Sequence, residues 1–356
     1  MANAEDGLPY EIRQLIADAG GAIDTRTAKQ AGVTRSRLQR LSDDGLLTRL
    51  APGIYAPASA AKLDDWKRFA LRARAFAASC GPAAYLTGWG AAVHWDLPTL
   101  GRPPVVPTVI RPKAPGRGPS NSRSGRILVA DVPTAHLGQQ GGLRLVGMAW
   151  AVMEIARRSR LPHSLVVADR ALRLGADLTG VGTQLARWKG AGRARWVAEH
   201  ADPAAESPLE TLGRFAFLEF DLPLPVANAW VGHDRPERRV DGLLPWHWCA
   251  FEGDGAMKYD NRDDASHIVR DQYEREFHLR RLGLDFARFG WPDVYPSRRP
   301  LADKARALLR DRPARSRPVR WWKHVPGKGP VEPQPADWPS PNPVGVILPA
   351  GWDRDR

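Results

Sequence analysis

Between Tyr10 and Ala19 apolar residues recur three or four apart, with Ile12, Leu15, Ile16 and Ala19 on one helical face, and Gly20-Gly21 stops the run. Asp24 is placed to cap a second short helix, Thr25 to Ala31, which Gly32 ends. Thr34 caps a third, Arg35 to Asp43, closed at Gly45. Leu46 to Leu50 and Gly53 to Ala56 read as two short strands joined at Ala51-Pro52. Helix, short helix, helix, hairpin is the order of a winged helix-turn-helix, predicted over residues 1–60.

Residues 61–203 read as a mixed α/β middle domain. Leu63 to Ala78 predicts a helix with Leu63, Trp66, Phe69, Ala73 and Phe76 as its apolar stripe. Strands are predicted at Val105 to Arg111 and Arg126 to Val132, around a flexible basic loop, Lys113 to Ser120. Helices follow at Met148 to Arg158, Ser164 to Leu174 and Val181 to Glu199, and Ala201 to Ala205 reads as a linker. From Pro208 to Arg310 the order is helix, strand, turn, strand, helix, strand, helix, so residues 204–310 form a third, α/β domain. The Pro- and Arg-rich segment 311–356 has no periodicity and is expected to be mostly disordered. Its Trp321 and Trp322 are expected to pack back on their own domain. The predicted fold class is therefore a multidomain α+β and α/β chain.

Composition changes this picture in three places. A chain of 356 residues exceeds one ordinary domain, and 43% hydrophobic against 26% charged residues supports large packed cores. The formal net charge of +13 favours an anionic partner such as nucleic acid. Part of that excess follows the Arg, Ala, Gly and Pro enrichment of a GC-rich genome. Only Cys80 and Cys249 are present, far apart, which argues for a reducing compartment and against structural zinc. No apolar leader and no bilayer-length run is visible, so a cytoplasmic protein without membrane contact is expected.

The third helix offers Thr34, Arg35, Ser36, Arg37 and Arg40 at or near its start, with no acid before Asp43. In a helix-turn-helix this end enters the major groove, where arginine reads guanine or grips phosphate. Arg49 and Tyr55 fall on the predicted wing. A protein-interaction module with a solvated basic face is the competing reading. The stretch resembles the N-terminal winged-helix domain of AbiEi-type antitoxins of type IV toxin–antitoxin systems. The matching pieces are Gly21 to Thr25, Ala28 to Arg40 and Leu46 to Tyr55, with a further family-like element at Leu86 to Pro98. The resemblance implies DNA-binding repression, often of the protein's own operon; it does not itself imply a toxin partner, and a cognate toxin is a candidate partner only.

The last third carries a second constellation. Glu210 lies in the helix opened by Ser207-Pro208-Leu209, Asp241 follows Arg238-Arg239-Val240, and Glu252-Gly253-Asp254-Gly255 precedes Lys258. Carboxylates supply hard oxygen ligands to Mg²⁺, which activates water and neutralises charge in phosphodiester hydrolysis. In a strand, Glu252 and Asp254 share a face, and Asp241 comes alongside if the strands pair across Leu244-Pro245-Trp246. Order and spacing resemble the very-short-patch-repair branch of PD-(D/E)xK nucleases, which implies a restriction-endonuclease-like fold over about Glu206 to Arg310. Also matching are Glu274 to Glu276, Leu279 to Gly283 and Ala287 to Val294. Carried over, the resemblance implies Asp241, Glu252 and Asp254 as ligands of Mg²⁺, Glu210 as helix-borne support and Lys258 as the group orienting water. One position departs: Asp254 stands where the family pattern has lysine. Two readings stay open, a metal-dependent DNA endonuclease tied to toxin–antitoxin or phage defence, and a non-catalytic AbiEi-type repressor with a degenerate nuclease fold.

Overall fold

The computed structural model describes residues 7–116, 118–255, 274 and 276–355. The chain divides into two compact units, one of residues 1–158 with 176–198, the other of residues 159–175 with 199–356. Both mix helices and sheets.

The first unit opens with α1 (Tyr10–Asp18), β1 (Ile23–Asp24), α2 (Thr25–Gln30), α3 (Arg35–Asp43), β2 (Leu47–Ala51) and β3 (Ile54–Pro57). Caps set the helix starts. The Asp24 carboxylate accepts from the Arg26 and Thr27 amides, and the Thr34 hydroxyl oxygen accepts from the Arg37 amide. The strands form an antiparallel sheet in the order β1-β3-β2. Ile12, Ile16, Ile23, Ala28, Leu38, Leu41 and Tyr55 share one buried core. The hairpin turns at Pro52-Gly53, where Gly53 takes φ +75°, a conformation that costs glycine little.

Next come α4 (Asp65–Ser79), β4 (Tyr85–Thr87), α5 (Trp89–Ala92), β5 (Thr108–Arg111), β6 (Ser120–Asn121), β7 (Arg126–Val129), β8 (Leu137–Gln140), β9 (Leu143–Val146) and α6 (Met148–Arg158). The six strands form one mixed sheet, β6-β7-β5-β4-β9-β8. Strands β4, β8 and β9 escaped the sequence pattern because runs of three or four residues carry too little period. The first strand predicted here is shorter than expected: it begins at Thr108, and Val105 is 87% exposed. The next helix, α7 (Leu161–Arg173), belongs to the second unit. The single helix expected at Val181 to Glu199 is two, α8 (Leu178–Gln184) and α9 (Ala191–His200). Gly190 takes φ +85° between them, and a Cβ there would lie 2.5 Å from the Arg157 carbonyl oxygen, so the chain turns where only glycine fits.

In the second unit α10 (Pro208–Glu219), capped by Ser207, precedes a sheet of β10 (Val226–Val231), β11 (Arg238–Leu244), β12 (Cys249–Gly253) and β13 (Asp285–Phe289), in that order. The first two pairings are antiparallel, and β12 and β13 are parallel. Across the Pro245–Trp248 turn, Gly242 faces Phe251 and Leu244 faces Cys249. Helix α10 lies on the sheet through the Phe217–Phe251 edge contact, centroids 4.7 Å apart. It is tied to α7 by a buried ion pair, Asp169–Arg214 at 3.2 Å, and by the Thr211 hydroxyl donating to Asp169 at 2.8 Å. A final helix spans Arg299–Asp311.

Part of the segment expected to be disordered is folded. Trp322 exchanges backbone hydrogen bonds with Trp230 at 2.8 and 3.0 Å, and β14 (Lys323–Val325) pairs with β15 (Gly329–Val331). Trp321 is fully buried in the cluster of Trp248, Ala250, Leu279 and Leu284. One tryptophan buries roughly 150–250 Å², which offsets the ordering cost of several residues without any periodic pattern.

Candidate nucleic-acid interface and carboxylate cleft

The core positions of α3, Leu38 and Leu41, face inward, which leaves Thr34, Arg35, Ser36, Gln39 and Arg40 on the exposed face. Arg35, Arg40 and, on β2, Arg49 are exposed and form no ion pair among the described residues. Arg37 is different: its guanidinium pairs with Glu11 of α1, and that pairing helps hold the Glu11 carboxyl below its ordinary value, after the larger effect of a backbone hydrogen bond. An exposed pair of this kind is weakly bound, so Arg37 can exchange Glu11 for a phosphate at small cost. Tyr55, expected on the wing near DNA, lies in the core instead. It is 1% exposed, its ring fills the core, and its hydroxyl donates to Gln39 Oε1 at 3.1 Å. In β3 the side chains of successive residues alternate, and position 55 points at α1 and α3 rather than outward.

In the second unit, residues Glu206, Ser207, Glu210, Trp230, Arg238, Asp241 and Trp291 are among those lining an open cleft of about 560 Å³. Glu210 and Asp241 come together there. Burial, and then the charge of Asp241, pushes the Glu210 carboxyl above its ordinary value. Three hydrogen bonds oppose this shift: the Glu206 amide at 2.9 Å, the Ser207 hydroxyl at 2.8 Å and Asn228 Nδ2 at 2.7 Å. The first two belong to the helix start, so Glu210 also acts as a capping acid for α10. Asp241 Oδ2 accepts the Gly253 amide across the ladder at 2.8 Å. On the same cleft wall, Arg239 grips both oxygens of Glu206 at 2.9 Å. Burial works against the Glu206 charge, but Arg239 and Arg173 hold that carboxyl below its ordinary value.

The expected ligand trio is not assembled. β12 ends at Gly253, so Asp254 no longer alternates with the strand, and its carboxylate pairs with Arg288 at 3.1 Å. Glu252 is buried in β12, opposite Arg288 in the parallel ladder. Among the described residues no group of three or more His, Cys, Asp or Glu side chains is arranged to hold a metal ion. Lys258 lies outside the described residues. Sequence reading missed Asn228, which takes φ +50° and reaches both Glu210 and the Ala204 carbonyl, each at 2.7 Å. It also missed Arg288 and Arg239, because an arginine that neutralises a distant acid has no local signature.

Comparison with known proteins bears on the first unit most directly. A family model described as "Transcriptional regulator, AbiEi antitoxin" matches residues 10–58. Two uncharacterized proteins of Mycobacterium tuberculosis, MT2308 and Rv2248, are each 26% identical over 223 residues, covering 60% of this chain and 75% of theirs. The crystal structure of the RV2827C protein from Mycobacterium tuberculosis aligns with 55% of this chain and 79% of its own, at 18% identity and a TM-score of 0.34. Among the described residues no helix is long and apolar enough to cross a membrane.

Proposed function

We propose that this chain is a DNA-binding transcriptional regulator whose first 60 residues work as a winged helix-turn-helix, with α3 as the recognition helix. The observation that carries the reading is the outward edge of α3. Thr34, Arg35, Ser36 and Arg40 face solvent, Leu38 and Leu41 anchor the helix from behind, and the whole lies within the stretch that matches the regulator family. Arg35 and Arg40 would read bases, and Arg37 and Arg49 would hold phosphate. The test is binding to a labelled duplex from the chain's own upstream region. Arg35→Ala with Arg40→Ala should cost about 1–3 kcal/mol for each base no longer read and bring the affinity down to that for unrelated DNA. Unchanged discrimination between the two duplexes would refute the assignment. The family description extends the proposal to a second partner, a protein toxin, tested by co-purification with the product of an adjacent gene.

A second reading, metal-dependent cleavage by a restriction-endonuclease-like second unit, has the Glu210–Asp241 pair in one open cleft in its favour. Incubating plasmid DNA with the protein and Mg²⁺ or Mn²⁺ tests it. Cleavage that Asp241→Asn abolishes would support it, and intact plasmid with the wild-type protein would retire it.

A further inference from the structure

The net charge is distributed in a way that the recognition helix does not explain. Residues 1–60 contain 7 Lys or Arg and 7 Asp or Glu, so the proposed reading head is formally neutral. The rest of the first unit, residues 61–158 and 176–198, contains 18 Lys or Arg against 6 Asp or Glu, a formal +12. The second unit contains 27 against 26. Nearly the whole excess of +13 therefore sits beside the N-terminal module, in the same compact unit.

One turn of the six-stranded sheet brings one of these cations to the hairpin. Between β6 and β7 the chain reverses at Ser122–Gly125, closed by the Ser122 amide donating to the Gly125 carbonyl at 2.9 Å. Ser122 Oγ also accepts the amides of Ser124 and Gly125 at 3.2 and 3.1 Å. Gly125 is buried against α4, and a Cβ there would fall 2.2 Å from the Phe76 ring. The Ser124 hydroxyl donates to the Pro52 carbonyl at 2.8 Å. The turn is thus fixed to the tip of the β2–β3 hairpin. Arg123, next to Ser124, is exposed, and so is Arg49, three residues before Pro52.

We propose that the β6–β7 turn is a second DNA-contacting element: Arg123 grips a phosphate of duplex DNA adjacent to the wing. The inference rests on the DNA-binding reading above. A turn already locked by five hydrogen bonds and a buried glycine presents its cation with little ordering left to do on binding. Nothing in the turn selects a base, so it should add affinity and salt dependence without sequence preference.

The experiment is fluorescence anisotropy of the full chain, with its own upstream duplex and an unrelated duplex of equal length, between 50 and 200 mM salt. Each phosphate grip removed lowers the slope of log affinity against log salt by about 0.9, which over that fourfold range shrinks the salt effect about threefold. Arg123→Ala should weaken both duplexes by the same factor and flatten both slopes, and Arg123→Lys should restore the slope. Arg35→Ala with Arg40→Ala should instead lower the ratio between the duplexes. A wild-type chain that binds, with the Arg123→Ala variant showing the same affinities and slopes, overturns this inference and leaves the regulator reading standing. A variant that loses only the upstream duplex also overturns it, since that is base reading. A wild-type chain that binds neither duplex overturns both.

Discussion

Gly213 stands in the interior of α10, where replacing glycine by alanine ordinarily stabilises a helix by about 1 kcal/mol. Here the sign should reverse. A Cβ at position 213 would lie 2.5 Å from Cζ and 2.8 Å from Cε2 of Phe289. That ring cannot swing away freely. It is 4% exposed, and a Cβ at Gly253 would already stand 3.3 Å from its Cζ. Overpacking of this kind costs about 1–3 kcal/mol, so Gly213→Ala should be destabilising by up to roughly 2 kcal/mol net. Gly192→Ala in α9 is the control, because nothing stands within 4 Å of its Cβ and its φ is not positive. That variant should gain up to about 0.5–1 kcal/mol, less if the first helical turn is frayed. Urea unfolding followed by tryptophan fluorescence at constant slope measures both. Stabilisation by both substitutions would refute the reasoning, since it would mean that α10 lifts from β13 without cost.

Three further outcomes follow from the same geometry. Tyr55→Phe removes the bond to Gln39 and should cost about 1 kcal/mol in thermal unfolding while leaving DNA affinity unchanged, whereas a tenfold loss of affinity would return Tyr55 to the interface. Asp24→Ala strips α2 of its cap and the Thr27 hydroxyl of its acceptor, and should cost about 1–2 kcal/mol; a smaller helical signal with unchanged stability would contradict this. The Glu210 carboxyl, raised first by burial and then by Asp241, binds its proton more tightly folded than unfolded, so its share of stability is full below the ordinary carboxylate range and declines as pH rises above it. Asp241→Asn removes the second cause and should shift that decline to lower pH; a stability profile between pH 4 and 7 identical to that of the wild type would refute the coupling.

Local chemistry made the N-terminal module legible. Asp24 and Thr34 cap their helices through hydrogen bonds to amides two or three residues away, and the spacing of Ile12, Ile16, Leu38 and Leu41 marks their buried faces, so a single sequence is enough to place α1, α2 and α3. Ser207 announced α10 in the same way. Other outcomes required partners remote in sequence. Tyr55 is a core residue because α1 and α3 close over it, and Asp254 is an ion-pair partner because β13 brings Arg288 alongside, 34 residues away. Part of the tail is ordered because Trp322 finds the edge of β10 and Trp321 finds a pocket, neither of which leaves a periodic trace. Capping and helical periodicity act over three or four residues, so the sequence by itself determined them; which acid meets which base, and which turn stands beside the β2–β3 hairpin, is decided by pairings that exist only once the chain has folded.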